Sequence, residues 1–484
     1  MNVAVVCELN PFHYGHYSIF RAARELSKIP RESIRRHARN GVISADVIDD
    51  ILRGNGGKGS GGDVRSGSEI DSKGLVAAVM SGNFCERGEP ATLDKWTRAR
   101  IAVECGADVV AEIPSVYSAS SAQFFADAAV DIVTGLGCVD VLLFGSECGD
   151  AKLLSEAVQK RLGVFDGGGI LKIGEDAEES FPKAMERLLG VKLSGNDILA
   201  VEYMCALRRR GSATVPAIFK IKPAIECLAG ILGGAVKDHA DEKKDADPAL
   251  ALHSGRIRAI LELYAKNISE SQWSSADMQD TIGKMLLMLG TAMPPEAFGI
   301  FSEKISAGEF VGGIEALGDI IVAAFRRMTP FDADALPFAD DGLGRKILNE
   351  CLKTGSPEII INRSTGKSYT ASRVKRTLIS VITGAEQSMY TSEIAVPYVR
   401  ILAIRRSVNV SDIAAAVSAE CEKSGRKRNV IVGNIPSNYA KSFSEETVRL
   451  LEKEILASDM YALGVKVRRF GAARKEFTCR LISL

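Results

Sequence analysis

Short apolar runs alternate with amphipathic stretches over the first 220 residues of the chain. Each apolar run is nearly continuous, which is typical of strands that are buried on both faces of a sheet. Strands that alternate with helices pair in parallel, with helices on both faces. The pattern therefore predicts a doubly wound, Rossmann-like α/β sheet with strands at Val3–Val6, Leu75–Met80, Val109–Ile113, Val139–Phe144 and Thr214–Ile221.

The pattern changes after residue 255. Residues 256–395 show mostly helical periodicity, and residues 396–484 return to strands that alternate with helices. We therefore expect a sheet domain over 1–255, a mostly helical region over 256–395 and a small α/β C-terminal domain over 396–484. Residues 31–73 do not fit the alternation, and their second half is rich in glycine, so we interpret them as an insertion in the first domain.

The first predicted strand leads directly into Glu8–His16, which reads ELNPFHYGH. This context places a turn and then a helix N-terminus after the strand, where backbone N–H groups and the helix dipole favour phosphate. His13 and His16 are three residues apart and share one face of the first turn. Gly15 removes a side chain where a nucleotide would approach the backbone. The pattern favours a phosphate site, and a pair of helix-capping or core histidines is the alternative.

Two further segments stand at the carboxyl ends of strands, where ligands of a parallel sheet bind, and two more open helices. Met80–Pro90 (MSGNFCERGEP) follows the second strand, and basic residues in Lys95–Arg98 (KWTR) then open a helix. Phe144–Glu147 (FGSE) ends the fourth strand, and Asn196–Tyr203 (NDILAVEY) opens a later helix. Each segment also has a purely structural interpretation, as a turn, a solvated helix or a helix cap.

Composition narrows the class of protein. The net charge is zero, but residues 323–484 hold 26 Lys and Arg against 17 Asp and Glu, a net charge of +9 that favours a polyanionic partner. The ten cysteines form no CxxC pair and no zinc spacing, which predicts a cytoplasmic protein with reduced thiols and no metal site. We see no apolar run long enough to span a membrane and no signal peptide at the N-terminus.

Together these segments resemble the tRNA(Met) cytidine acetate ligase family, within the HxGH nucleotidyltransferase superfamily. The resemblance continues beyond the first domain, in Asp341–Leu348 (DGLGRKIL), Tyr369–Arg376 (YTASRVKR) and Pro397–Ala403 (PYVRILA). It implies a nucleotidyltransferase fold that binds ATP, with magnesium, and activates acetate as acetyl-adenylate. The acetyl group would then pass to the N4 amine of the wobble cytidine in elongator tRNA(Met), and no protein or membrane partner is predicted.

The resemblance also implies roles for individual residues. His13 and His16 would stabilise the phosphates of ATP, with Asn10 as a third catalytic residue. The other implied ATP-binding residues are Val6, Glu8, Leu9, Pro11, Phe12, Gly15, Ile19, Gly145, Asn196, Lys220 and Arg258. The implied contacts with the carboxylate substrate or with tRNA are Lys95, Arg98, Arg373 and Arg376.

Two positions depart from the superfamily pattern. The late Ser/Thr-rich segment that ends in Ile-Arg is reduced here to His253–Arg258 (HSGRIR), where Ser254 is the sole hydroxyl. The fifth strand offers Lys220 where an arginine is expected, and lysine cannot make the same bidentate phosphate contact. Two alternatives therefore stay open at this point: a small-molecule adenylyltransferase of the same superfamily, and a catalytically inactive relative that binds nucleotide or RNA.

Overall fold

A computed structural model describes residues 1–38, 41–53, 74–166, 181–221, 254–468 and 473–484. The glycine-rich half of the predicted insertion and His253 lie outside the described residues. The strands are β1 (Val3–Cys7), β2 (Val76–Ser81), β3 (Phe84–Cys85), β4 (Glu89–Pro90), β5 (Val109–Ile113), β6 (Val141–Ser146), β7 (Val215–Lys220), β8 (Tyr398–Ile404), β9 (Asn429–Val432) and β10 (Ile482–Ser483).

Helices make up most of the remaining regular structure, with short 3-10 turns at Arg31–Ser33, Ile314–Leu317 and Gln387–Met389. The helices in the first half of the chain are α1 (Tyr14–Ser27), α2 (Ile34–His37), α3 (Ala45–Leu52), α4 (Lys95–Glu104), α5 (Ser115–Ser118), α6 (Ala122–Gly135), α7 (Ala151–Asp166), α8 (Phe181–Leu189) and α9 (Gly195–Arg209). Those in the second half are α10 (Ser254–Asn267), α11 (Glu270–Trp273), α12 (Ala276–Gly290), α13 (Pro295–Ser306), α14 (Gly318–Arg326), α15 (Pro330–Asp334), α16 (Leu343–Cys351), α17 (Pro357–Ser364), α18 (Ala371–Thr383), α19 (Val410–Ser424), α20 (Tyr439–Ser442), α21 (Glu445–Leu463) and α22 (Lys475–Thr478).

The central sheet confirms the predicted α/β class. Its strands follow the order β10-β8-β5-β2-β1-β6-β7, and β9 also pairs with β8. The strands β5, β2, β1, β6 and β7 are parallel to one another. The strand order reverses between β1 and β6, which makes their carboxyl ends the switch point of the fold.

Alternate side chains of the parallel strands enter two different cores, because successive residues of a strand point to opposite faces. In β2, Ala77 and Val79 join the core built with α6, α7 and α9. Val76, Ala78 and Met80 join the core built with α1 and α4. Helices on both faces therefore bury the continuous apolar runs that the sequence displays.

The strands after residue 396 extend the same sheet. Strand β8 pairs antiparallel with β5 and parallel with β9 and β10. All seven residues of β8 are buried, so this strand needs cover on both faces and neighbours on both sides. The sequence predicts a separate small α/β domain here, whereas the structure shows no separate sheet among the described residues of 396–484. That residues 396–484 form a domain of their own stays a prediction.

A third core lies in the mostly helical region, where α14, α16, α17 and α18 pack against α21 and the β3–β4 hairpin. Phe84 of the hairpin and Tyr461 of α21 meet edge to face at 6.1 Å between ring centroids. This packing holds the hairpin against the second half of the chain. None of the helices in the described ranges is long and apolar enough to cross a membrane.

A buried charge cluster joins the two ends of the chain. Lys95 Nζ contacts carboxylates of Glu112, Glu454 and Glu476, at 2.8 Å from Glu454 and 2.6 Å from Glu476. Arg400 on β8 contacts Glu112 at 3.1 Å and also contacts Glu476. All five side chains are at most 1% exposed, so each charge depends on the others for its stabilisation.

Candidate active site

A cavity of about 710 Å³ opens at the switch point, at the carboxyl ends of β1 and β6. This is the position at which open α/β sheets bind their ligands. The structure brings ten of the sequence-predicted residues to its walls. They are Val6, Glu8, Asn10, His13, Gly15, His16, Ile19, Gly145, Asn196 and Arg258.

The two histidines are held in one tautomer by the turn before α1. His13 is the N-cap of this helix, and its Nδ1 accepts a hydrogen bond from the N–H of Gly15 at 2.9 Å. His16 Nδ1 accepts from the N–H of His13 at 3.3 Å, and the ring centroids are 4.1 Å apart. A neutral imidazole that accepts at Nδ1 carries its hydrogen on Nε2. Each ring therefore carries its hydrogen on Nε2, and both residues line this wall of the cavity.

Burial decides the charge of His16. Its pKa lies well below the ordinary value, first because the ring is desolvated and second because His13 is close. His16 is therefore neutral at pH 7. A neutral donor suits an anionic ligand, since it stabilises charge that develops on the ligand without a buried cation of its own.

Asn10 supplies a second kind of donor. Its Oδ1 accepts from the N–H of Thr92 at 2.8 Å, which fixes the orientation of the amide. Its Nδ2 is buried and has no hydrogen-bond partner among the described residues. A buried donor of this kind is costly unless a ligand or water completes it, which fits a binding role for Asn10.

Two glycines allow a ligand to approach the backbone. A Cβ at position 15 would lie 2.6 Å from His13 Cε1, and a Cβ at position 145 would lie 2.9 Å from Ile221 Cδ1. Beside Gly145, Asn196 Nδ2 donates to Glu147 Oε1 at 2.8 Å. The bare backbone and the polar pair together form a rim suited to a sugar and its phosphates.

The deep end of the cavity is apolar and aromatic. Phe125, Phe144, Tyr203 and Phe219 line it, with Phe144 and Tyr203 at 5.7 Å between ring centroids. Flat apolar walls of this kind suit a planar base. The cavity therefore combines a base-sized apolar end with a polar end that carries the two histidines.

Two acidic side chains, Glu8 and Glu86, also line the cavity. Burial raises the pKa of Glu8 to about 7, and the nearby carboxylate of Glu86 raises it further, whereas the charges of Arg258 and Arg98 oppose this shift. Glu8 also accepts from the N–H of Glu86, which ties the end of β1 to the β3–β4 hairpin. The ionisation of Glu8 near neutral pH therefore changes the charge of the cavity.

Several predicted residues lie outside the cavity walls. Leu9 and Phe12 are buried in the core next to α1. The carbonyl of Pro11 accepts from Ser254 Oγ at 3.0 Å, so these two positions tie α10 to the histidine turn. Lys220 is exposed, and its side chain lies beside Gly149.

The predicted basic contacts have protein partners. Arg98 is buried and donates to the carbonyls of Leu93 at 2.9 Å, Glu8 at 2.6 Å and Gly82, while Lys95 belongs to the buried charge cluster. Arg98 thus holds together the loops that follow β1 and β2. Arg373 Nε donates to the carbonyl of Phe338 at 2.9 Å, and the guanidinium of Arg376 lies 6.0 Å from the centre of the Phe338 ring. Contacts of these four residues with a substrate stay predictions.

The structure adds cavity residues that the sequence did not assign. Glu86 and Arg87 reach the cavity from the hairpin, and Ser254 reaches it from the N-terminus of α10. Glu147 and Tyr203 lie inside segments that the sequence singles out, but no pattern in those segments gives them a role. The short β3–β4 hairpin has too little periodicity to reveal which of its side chains turn inward.

The arrangement defines a class of protein. The chain matches the HIGH Nucleotidyl Transferase family over residues 64–222 and 257–473, and it belongs to that family. The superfamily predicted from the histidine motif is thereby confirmed.

Curated relatives extend the match over most of the chain. The tRNA(Met) cytidine acetate ligase of Acetivibrio thermocellus is 29% identical over 86% of this chain and 94% of its own length. The protein of the same name from Clostridium perfringens is 28% identical over 82% of this chain and 90% of its own length. A crystal structure of Thermotoga maritima TmcAL bound with alpha-thio ATP covers all of both chains at 22% identity, with a TM-score of 0.70. The resemblance to the acetate ligase family is confirmed, and the structural likeness confirms the fold.

Proposed function

We propose that this protein is an ATP-dependent acetate ligase that acetylates the wobble cytidine of elongator tRNA(Met). The observation that carries the proposal is the pair of histidines at the N-terminus of α1, with their Nε2–H donors at the switch-point cavity. Support also comes from relatives named tRNA(Met) cytidine acetate ligase, which match this chain over 82% to 96% of its length.

The cavity walls fit ATP. The aromatic end formed by Phe144, Tyr203 and their neighbours suits adenine, and the rim at Gly145 and Asn196 suits the ribose. The triphosphate would then lie at the N-terminus of α1, where backbone N–H groups, the helix dipole and both imidazoles favour negative charge. Arg258 lines the same polar end. In this fit Lys220 lies outside the walls, so the departure from arginine there has little effect on phosphate binding.

The first step activates acetate. A carboxylate oxygen of acetate attacks the α-phosphorus of ATP, the bond from that phosphorus to the bridging oxygen breaks, and acetyl-adenylate and pyrophosphate form. Charge builds on the phosphate oxygens as the new bond forms. Neutral donors from His13 and His16 stabilise that charge in place, which is a large term in phosphoryl chemistry.

The second step transfers the acetyl group. The N4 amine of cytidine attacks the acetyl carbonyl carbon, the bond from that carbon to the AMP oxygen breaks, and the amine proton leaves to solvent. AMP leaves readily because its phosphate carries the negative charge. The cytidine has to be unstacked to reach the cavity, which costs little in an anticodon loop.

Magnesium would accompany the phosphates of ATP. Among the residues that the structure describes, no group of three or more His, Cys, Asp or Glu side chains is arranged to hold a metal ion. A magnesium ion held chiefly by substrate phosphates and water needs no such group. We propose the cytoplasm as the compartment, since the nine cysteines in the described ranges are free thiols.

The direct test uses the purified protein with ATP, magnesium, radiolabelled acetate and unmodified elongator tRNA(Met), followed by nucleoside analysis. Label in N4-acetylcytidine is the expected result. Acetate-dependent release of pyrophosphate without labelled RNA would retain the adenylation step and point to another acceptor. Transfer of AMP to a small molecule would favour the adenylyltransferase alternative, and the absence of all turnover with retained ATP binding would favour an inactive relative.

A further inference from the structure

A second cavity, of about 770 Å³, lies next to the first one. It is bounded by α10, the 3-10 turn at Ile314–Leu317, α17, the start of α18 and the end of α21. Helix α10 connects the two cavities. Ser254 and Arg258 line the first cavity, and Glu262 and Lys266, which continue the same spacing of four residues, line the second. Residues four apart share one helix face, so a single stripe of α10 runs from one cavity into the other.

The wall opposite α10 also runs from the first cavity into the second. Arg87 of the β3–β4 hairpin lines the first cavity, and Glu89, two residues further, pairs with Lys375, which lines the second. Between the cavities stand charged side chains from α10, α18 and the hairpin. Burial raises the pKa of Glu262 and so does the charge of Glu89, whereas Lys375 and Arg258 lower it.

Cations outnumber carboxylates in the lining of the second cavity, which holds four basic side chains against Glu262, Glu315 and Glu358. Its cations are Lys266, Lys375, Lys466 and Arg468. Lys266 pairs with Glu358 at 2.7 Å, but both side chains are more than half exposed, so an anionic ligand can compete for the lysine. Arg468 is exposed and has no ion-pair or hydrogen-bond partner among the described residues. Lys466 donates to the carbonyls of Ala265 and Ile268 at the end of α10 and is structural.

We propose that the second cavity binds the single-stranded RNA nucleotides that flank the acceptor base. Their phosphates lie near Lys266, Lys375 and Arg468, and the acceptor base turns into the first cavity past Arg258 and Glu89. This inference rests on the proposed function and deepens it. The reason is that the walls of the first cavity continue into the second one. An RNA strand whose base enters the first cavity has to leave it along a wall that tolerates the phosphates of the strand.

The proposal changes which face of α18 meets the RNA. Ala371 and Lys375 are four residues apart and line the second cavity. Arg373 and Arg376 lie on another side of the helix, against Phe338. The cation that α18 offers to the RNA in the second cavity is therefore Lys375, while Arg373 holds the segment around Phe338. Arg376 lies close to Glu86 and Arg87, and its Nε is buried without a hydrogen-bond partner among the described residues.

The first test fills the cavity. Ala371 is exposed at the start of α18, so Ala371→Trp places an indole in the second cavity without disturbing a core. We expect the KM for unmodified elongator tRNA(Met) to rise at least about tenfold, because the bulky ring excludes the flanking nucleotides. Acetate-dependent ATP–pyrophosphate exchange should stay unchanged. Ala415→Trp, at an exposed alanine of α19 away from both cavities, is the matched control.

The second test removes charge. Lys266→Gln and Arg468→Gln should each weaken RNA binding in a gel-shift titration and reduce the slope of log affinity against log salt by about one. Lys353→Gln is the control, since Lys353 also pairs with a glutamate at 2.7 Å and is similarly exposed. Unlike Lys266, it does not line the second cavity.

The outcomes separate this inference from the proposed function. If the unaltered protein acetylates tRNA, but the filled and the charge-removed variants bind and acetylate it as the controls do, the second cavity is not the RNA site. If the unaltered protein binds tRNA without acetylating it, and the variants lose that binding, the RNA site stands and the acetylation proposal fails. A protein that neither binds nor acetylates tRNA would overturn both.

Discussion

At the scale of single residues, the turn before α1 fixes the orientation of both histidine rings. The backbone N–H groups of Gly15 and His13 occupy Nδ1 of His13 and His16, so each tautomer is set by the main chain. The same contacts make His13 the helix N-cap. Capping and the proposed phosphate contact therefore depend on the same side chain, and a mutation has to separate the two.

Substitution of His13 by asparagine makes that separation. Asparagine is a good N-cap, so His13→Asn should keep the helix and the thermal unfolding midpoint while it removes the Nε2 donor. We expect acetate-dependent ATP–pyrophosphate exchange to fall by about 10²- to 10³-fold, and His16→Ala should reduce it to a similar degree. Near-normal exchange in both variants, with circular dichroism showing folded protein, would contradict a role for the histidines in catalysis.

Glu8 makes the stability of the fold depend on pH. Its pKa is about 7 in the folded protein and 4.5 ordinarily, so the folded state binds more protons between these values. The contribution of protonated Glu8 to the free energy of unfolding is fully present below about pH 4.5, and it is lost as the pH rises through about 7. Glu8→Gln removes this loss, so the variant should be more stable than the unaltered protein at pH 8, by up to about 3 kcal/mol. Urea unfolding at pH 5 and pH 8 measures the free energy of unfolding of the variant and of the unaltered protein. An equal difference between the two proteins at both pH values would argue against a buried Glu8 carboxyl with a raised pKa.

At the scale of elements, the contact between the β3–β4 hairpin and α18 sets the wall between the two cavities. Gly88 has a φ of 70°, and a Cβ there would lie 2.6 Å from backbone atoms of Lys375 and Arg376. The backbone of α18 cannot give way as the end of a flexible side chain could. The closeness of hairpin and helix therefore requires glycine.

Gly88→Ala should consequently push the hairpin away from α18. We expect a loss of stability of about 2 kcal/mol or more, from the left-handed backbone and the clash together. Gly283→Ala is the control, because this helical glycine of α12 has open space around it and alanine there should stabilise by about 0.5 to 1 kcal/mol. Chemical denaturation measures the free energy of unfolding of both variants. Equal changes in the two variants would refute the close contact between the β3–β4 hairpin and α18.

The sequence predicts elements better than it predicts how they meet. The apolar runs identify the parallel strands, and the position of His13 and His16 after the first strand points to the cavity that these histidines line. The fourth strand is predicted at Val139–Phe144 but is found at Val141–Ser146, because Gly145 and Ser146 pair with β7. Periodicity shows which residues share a helix face, but not which face packs on a neighbour. The choice between the two sides of α18 therefore had to come from the structure.

At the scale of the whole molecule, the buried charge cluster makes one unit of the two ends of the chain. Lys95 and Glu112 come from the first quarter of the chain, and Arg400, Glu454 and Glu476 come from the last hundred residues. The sequence places Lys95 at a helix start near the predicted site, which suggests a substrate contact. Two of its acidic partners, Glu454 and Glu476, are more than 350 positions away along the chain, and nothing local in the sequence shows that they return to it.

Removal of the central cation should destabilise the entire fold. Lys95→Met leaves three carboxylates around an apolar side chain, and the loss of one partner from a buried ion pair costs about 3 to 5 kcal/mol. Lys353→Met removes a lysine from the exposed pair with Glu350 and should change stability by less than about 1 kcal/mol. Guanidinium unfolding followed by fluorescence compares them. Similar midpoints for the two variants would mean that water or proton uptake compensates for Lys95.

The placement of β8 beside β5 also has a consequence for synthesis on the ribosome. The sheet that carries the histidine turn exposes the edge of β5 until β8 emerges, and Lys95 lacks two of its carboxylates until Glu476 has been made. At elongation rates of about 5 to 20 residues per second, the interval between Glu112 and Glu476 is roughly 20 to 70 s. During that time the nascent chain carries an unpaired strand edge that can join another chain. The central sheet is therefore completed only late in translation, and we expect chaperones that shield strand edges to matter more for this protein than for one whose N-terminal sheet closes by itself.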